Sequence, residues 1–159
     1  MPHEVQHEGY LISDDPARLD IDAIHAALSH THWAEGITRD IVARSLENSL
    51  CFGTYDSAGL LVGLVRVITD YATFAYLCDV YVLEDHRGRG LAKAALQVVM
   101  QHPRLQNQMR QHLVTPDTQR LYVPFGFAAV NRPDWHLEKV DPGVYQRLAA
   151  KSRPPERHP

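Results

Sequence analysis

Residues Leu77 to Val98 read LCDVYVLEDHRGRGLAKAALQV. An apolar, β-prone run from Phe74 to Leu83 meets the polar Glu84-Asp85-His86, then Arg87-Gly88-Arg89-Gly90-Leu91-Ala92. Beyond that point the apolar period changes, with Leu91, Ala94, Ala95 and Val98 at helical spacing. The stretch therefore predicts a strand, a glycine-rich turn and a helix. The first backbone N–H groups of a helix have no intrahelical partner and carry the positive end of its dipole. Glycine lets the backbone come close to an anion, so the turn is a candidate phosphate cradle.

Spacing narrows the phosphate ligand. A dinucleotide fingerprint needs a third glycine where Lys93 stands and an acidic residue about 20 positions on, and neither is present. The Gly-x4-Gly-Lys-Ser/Thr phosphate loop is absent as well. The chain does carry Arg-x-x-Gly-x-Ala, Arg87 to Ala92, directly after a strand. Further on, Thr115-Pro116-Asp117-Thr118-Gln119-Arg120-Leu121-Tyr122-Val123-Pro124-Phe125-Gly126-Phe127 predicts a turn, a capping Asp117, a short helix and a helix-ending Gly126. Together, and in this order, the two segments resemble the GNAT superfamily of N-acetyltransferases. Its acyl-CoA pyrophosphate loop follows Gln/Arg-x-x-Gly-x-Gly/Ala, and its Leu-Tyr-x-x-x-Gly-Phe segment places a tyrosine beside the CoA sulfur.

The rest of the chain sets bounds on this reading. With 159 residues, 45% of them hydrophobic, it can bury one core, expected over residues 1–150. The polar, proline-rich Lys151 to Pro159 reads as a disordered tail. No run of about 18 apolar residues is present, so no membrane span is expected. The N-terminus lacks the basic-then-apolar order of a signal peptide, and a cytoplasmic location is expected. Cys51 and Cys78 lie in apolar runs and predict buried reduced thiols rather than a disulfide. His30-x-His32 has no third and fourth ligand in view, so no metal is expected.

Charge is uneven. Residues 1–60 hold three Arg and no Lys against ten acids, a balance of −7, while thirteen basic and nine acidic groups leave the remainder at +4. The basic part, with Arg87, Arg89 and Lys93, suits phosphates; the acidic part reads as solvated helix faces. No basic stripe interleaved with aromatics points to nucleic acid.

Along the chain, residues 8–13 predict a first strand. A helix follows from Asp14-Asp15-Pro16, with Leu19, Ile21, Ile24, Ala27 and Leu28 inward, and a second runs from the Thr38 cap to about Asn48. Leu50 to Tyr55 and Leu60 to Thr69 read as strands joined at Asp56-Ser57-Ala58-Gly59. After the central strand come a helix over 89–101 and strands over 110–115, Gly126 to Val130 and Trp135 to Val140, the last completing the sheet. Strand alternation puts Phe74, Tyr76 and Cys78 on one face and Asp79 on the other unless a bulge intervenes.

The resemblance implies a mixed α/β fold. Its mostly antiparallel sheet would carry helices on both faces, with its central strands splayed to admit CoA. It implies acetyl-CoA as co-substrate, with the backbone of Val80, Tyr81 and Val82 along the pantetheine arm. Arg87, Gly88, Arg89, Gly90, Leu91 and Ala92 would lie at the pyrophosphate, and Tyr122 at the sulfur as the acid. A small-molecule amine is the implied acceptor, with Trp33, Tyr76 and Cys78 lining its site beside Tyr71 and Phe74. Acetylation of a protein amine, and a CoA-binding regulatory module without turnover, are the alternatives. An acetyl-cysteine on Cys78 is disfavoured, because no Cys–His–Asp spacing is readable. The general base is open between Asp79 and an ordered water. Homodimers occur in the superfamily, but no interface is readable.

Overall fold

The computed structural model describes residues 1–153. Six strands form one sheet in chain order: β1 (Glu4–His7), β2 (Tyr10–Ser13), β3 (Leu50–Tyr55), β4 (Leu61–Thr69), β5 (Phe74–Val82) and β6 (Arg110–His112). All neighbours are antiparallel except β5 and β6, which run parallel over Phe74–Tyr76 and Arg110–His112. The helices are α1 (Ile21–Leu28), α2 (Arg39–Glu47), α3 (Leu91–Gln101), α4 (Gln119–Tyr122) and α5 (Val144–Lys151).

Local chemistry explains the departures from the predicted elements. Glu8 and Gly9 both have positive φ, 47° and 85°, the geometry of a two-residue hairpin turn. The expected strand over 8–13 is therefore a turn followed by β2. Pro16–Arg18 makes one 3-10 turn capped by Asp15, and α1 starts only after Asp20, whose carboxylate accepts from Ala23 N–H. The N-cap of α4 is Thr118, not Asp117. Gly126, at φ 91°, ends the 3-10 turn after α4. β6 stops at His112 instead of continuing to 115. Neither Gly126–Val130 nor Trp135–Val140 pairs with the sheet, and α5 occupies a stretch for which no helix was expected. Lys151 closes α5, and residues 154–159 of the expected tail lie outside the described residues.

Two cores flank the sheet. On one face Phe52, Val65, Val67 and Leu77 pack against Ala95, Val98 and Val99 of α3 and against Tyr122. On the other, Cys51, Tyr55 and Leu64 pack against Ile24 and Leu28 of α1 and Val42 and Leu46 of α2. Ile24 and Leu28, from the stripe foreseen for the first helix, are buried here, and Val42 and Leu46 are the buried residues of α2. Tyr55 is buried, and its Oη has no hydrogen-bond partner. Its ring lies over Gly53, so a methyl at Gly53 would collide with it. Tyr55→Phe is expected to leave stability unchanged or raise it by about 1 kcal/mol, while Gly53→Ala lowers it by about 2 kcal/mol. Urea unfolding reads both, and a clear loss in Tyr55→Phe would mean the hydroxyl is satisfied.

Candidate active site

Loop 83–90 rests on a small cluster of its own. Tyr10, Val62 and Leu91 are buried together, with Val82 against them. Tyr10 Oη lies 3.0 Å from His86 Nδ1, and Leu83 N–H donates to Val62 O at 2.8 Å. Gly88 and Gly90 have φ of 74° and 73°, which glycine adopts without strain, and open space lies where their Cβ atoms would stand. Gly90 is the N-cap of α3, and no side chain caps that helix. Ala94 N–H is the first to bond within it, to Gly90 O, so the amides of Leu91, Ala92 and Lys93 are left for another acceptor. These features fit a diphosphate. Arg87 is less free than the sequence suggests, since its Nε donates to Val82 O at 2.9 Å. Among the described residues, Arg89 and Lys93 enter no ion pair and are exposed.

The sheet opens where a ligand would need it to. β5 and β6 pair only as far as Tyr76 and His112, and beyond that rung the outer edge of β5 has no strand beside it. Because Leu83 N–H points to β4, the alternation of peptide groups turns Val82 and Val80 toward the gap. Their backbone groups therefore face the space a pantetheine arm would fill.

A bulge corrects the face assignment. Leu64 pairs with Tyr81 and Arg66 with Cys78, so β5 spends one residue more than β4 between those rungs. Asp79 takes up the difference at φ 50°. It thus shares a face with Tyr76 and Cys78 instead of opposing them. Asp79 Oδ2 accepts from Arg66 Nε at 2.6 Å, and its Oδ1 accepts from Trp33 Nε1 at 3.1 Å. Arg66 also donates to Ser49 Oγ at 3.1 Å. Burial works against the Arg66 charge, but Asp79, through its charge and its hydrogen bond, together with Cys78 and Cys51, holds the guanidinium above its ordinary value. Trp33, Cys78 and Asp79 are thereby gathered around Arg66 on one face of the sheet.

Tyr122 sits on the opposite face, 7% exposed, edge-on to Phe127 with ring centroids 6.0 Å apart. Burial raises its pKa while Thr118 pulls the other way, so the phenol keeps its proton at neutral pH. Burial pushes the Cys78 thiol up to about 12, which removes the thiolate a covalent route needs. Cys51 is pushed to about 12 for the same reason, and both cysteines are free. Tyr71 lies away from this cluster, under Arg104, whose Cζ is 3.7 Å from the ring centroid.

Sequence reasoning passed over one residue, His112. It forms the last rung with Tyr76, and stacks on Tyr76 at 5.8 Å, on His136 at 6.0 Å and on Phe74 at 6.5 Å. Burial first, then His136 and Arg110, lowers its pKa, so the ring is neutral at pH 7. Only the point where the two strands part marks it, and that point is not written in the sequence. A groove of about 500 Å³ lies beyond β6, lined by residues including Gln111, Leu113, Tyr122 and Trp135. No residue of β5 or of loop 87–92 lines it, but His112 and Tyr122 do.

Residues 18–127 match the acetyltransferase (GNAT) family. The chain is 38% identical to the "Putative acetyltransferase" of Gibberella zeae, over 71% of this chain and 75% of that one. A crystal structure from Xanthomonas campestris pv. campestris, described as a "putative acetyltransferase belonging to the gnat family", is 45% identical. It superposes with a TM-score of 0.83, covering 89% of this chain and 98% of that one. A "predicted acetyltransferase with acetyl-CoA" from Clostridium acetobutylicum shares the fold at 17% identity and a TM-score of 0.60, covering 82% and 94%. The family match, the glycine-rich turn before α3 and the parted strands agree: this chain belongs to the GNAT family of acetyltransferases.

Proposed function

We propose that the protein moves an acetyl group from acetyl-CoA to the primary amine of a small molecule, by direct transfer with both substrates bound. The observation that carries this reading is the gap between β5 and β6, which opens past the Tyr76–His112 rung toward the uncapped N-terminus of α3, with the Asp79 carboxylate on the strand between them. Acetyl-CoA supplies the activated acetyl thioester when bound. Amides of Leu91, Ala92 and Lys93, with loop 87–90, hold the pyrophosphate. Backbone groups of Val80 and Val82 align the pantetheine arm, and an N–H of that pair polarises the acetyl carbonyl. Tyr122 holds a proton at its Oη for the departing sulfur.

On the acceptor side, Asp79 keeps lone pairs free on both oxygens after its two hydrogen bonds and can take an N–H of the incoming amine. An alkyl amine is only about 0.1% neutral at pH 7, so a proton acceptor helps. Neutral His112, at the vertex of the gap, is that acceptor.

The reading is tested by thermal unfolding with and without acetyl-CoA, followed by free-thiol release across a panel of amines. Ligand at about 100 times its Kd adds roughly 2.7 kcal/mol. Gly90→Val should abolish the shift, because it strains a left-handed position and puts side chain over the cradle. No shift for the natural protein at millimolar acetyl-CoA would sink the proposal, and binding without thiol release from any amine would leave a binding module.

His112 also sets a pH dependence. Its pKa lies below the ordinary 6.5, so kcat should climb as pH rises through a limb under that value, as the ring loses its proton. His112→Ala should remove the limb and lower the plateau. A limb that persists in this variant would pass the role to Asp79 or to water.

A further inference from the structure

We infer that Tyr10 is a positioning residue for the acetyl-CoA diphosphate, holding the glycine-rich loop in its binding shape before the cofactor arrives. The inference rests on that loop being the diphosphate cradle. Tyr10 is the first residue of β2, a strand separated from β5 by β3 and β4. Its ring is nonetheless buried with Val62 of β4 and with Leu91, the first residue of α3, and Val82 at the end of β5 packs against them. Its Oη lies 3.0 Å from His86 Nδ1, and the two rings meet edge-on with centroids 5.8 Å apart. One side chain thus grips the loop at both ends, at His86 just before Arg87–Gly90 and at Leu91 just after it. Tyr10 itself stands outside residues 18–127 that match the family.

The loop has little else to hold it. Glu84–His86 is a single 3-10 turn without a side-chain cap. Backbone bonds tie Leu83 to Val62 O, His86 to Leu83 O and Arg87 to Glu84 O. Among the described residues, the amides of Gly88, Arg89 and Gly90 donate to no backbone carbonyl. Two glycines in so short a stretch carry large conformational freedom, which a bound ligand must remove. Anchors at both ends remove part of it in advance, and such preorganisation appears as affinity. A phenol donates to a neutral imidazole and accepts from a charged one, so the tie holds in either form of His86.

The consequence is a split in the kinetics. Because it is buried, Tyr10 acts through His86 and Leu91 rather than by touching the ligand. The groups assigned to the thioester, Val80, Val82 and Tyr122, lie outside its hydrogen bond to His86. Loss of the tie should therefore weaken acetyl-CoA binding without slowing the step that follows, and only for a donor that carries the diphosphate.

The test is steady-state kinetics with acetyl-CoA and with S-acetylpantetheine, which has the same thioester and arm but no diphosphate. Tyr10→Phe keeps the buried ring and removes only the hydroxyl. It should raise the KM for acetyl-CoA about five- to tenfold, the scale of one hydrogen bond, with kcat within about twofold. The KM for S-acetylpantetheine should not move. His86→Leu should behave in the same way, and the double variant should be no worse than either single one, because the tie is already lost. An unchanged KM for acetyl-CoA in Tyr10→Phe, an equal rise with both thioesters, or additive effects in the double variant would overturn the inference and leave the acetyl-transfer reading in place. Equal KM values of the natural protein for the two thioesters would overturn it together with the diphosphate cradle.

Discussion

Tyr122→Phe is expected to lower kcat about 100-fold at neutral pH while leaving the KM for acetyl-CoA and the unfolding temperature nearly unchanged. The ring of Tyr122 packs against Phe127 in the α3 core, and phenylalanine keeps that contact. What disappears is the phenolic proton, which burial retains at neutral pH. Removing a positioned general acid typically costs 10²–10⁴ in rate, and about 100-fold corresponds to roughly 2.7 kcal/mol of barrier. Steady-state kinetics with acetyl-CoA and the best amine from the panel would measure it. An unchanged kcat would mean the sulfur receives its proton from elsewhere, and Tyr122 would revert to a core residue. A large rise in KM would move its role from proton donor to cofactor positioning.

Arg66→Met is expected to be the most destabilising change at the site, by about 3 kcal/mol. The Arg66 and Asp79 side chains are only 15% and 10% exposed, and methionine leaves the Asp79 carboxylate with the Trp33 N–H alone. Breaking a buried pair from one side costs about 3–5 kcal/mol, and the remaining solvent contact argues for the lower end. For a domain of this size that is roughly a 10 °C fall in unfolding temperature. Adding Asp79→Asn should recover more than half of the loss, because asparagine tolerates φ of 50° and carries no charge. Calorimetry on the natural protein and both variants decides. If Arg66→Met were neutral, the bulge would hold itself, and Asp79 would be placed by its backbone rather than by the ion pair. Acetyl transfer should fall in the double variant as well as the single one, since neither presents a carboxylate held against Arg66 to the incoming amine.

The sequence by itself determined the features that depend on neighbours along the chain. Strand β5, the loop at Gly88 and Gly90, helix α3 and the turn at Gly126 are set by hydrophobic period and by glycines at left-handed positions, which are local rules. So are the buried stripes of α1 and α2 and the hairpin of β3 with β4. These sufficed to place the glycine-rich turn before α3 and the short helix that carries Tyr122. Tertiary structure decided what depends on partners far apart in the chain. The bulge at Asp79 exists because β4 and β5 differ by one residue between two rungs, and it moved that carboxylate to the face of Cys78 and Arg66. His112 stands where the two strands part only because β6 ends its pairing there. Trp135–Val140 has the alternation of a strand yet stays outside the sheet, since hydrophobic pattern specifies a strand but not the edge it joins. That edge is fixed by where Phe127 and Tyr145 anchor the chain, and those contacts are made across the fold.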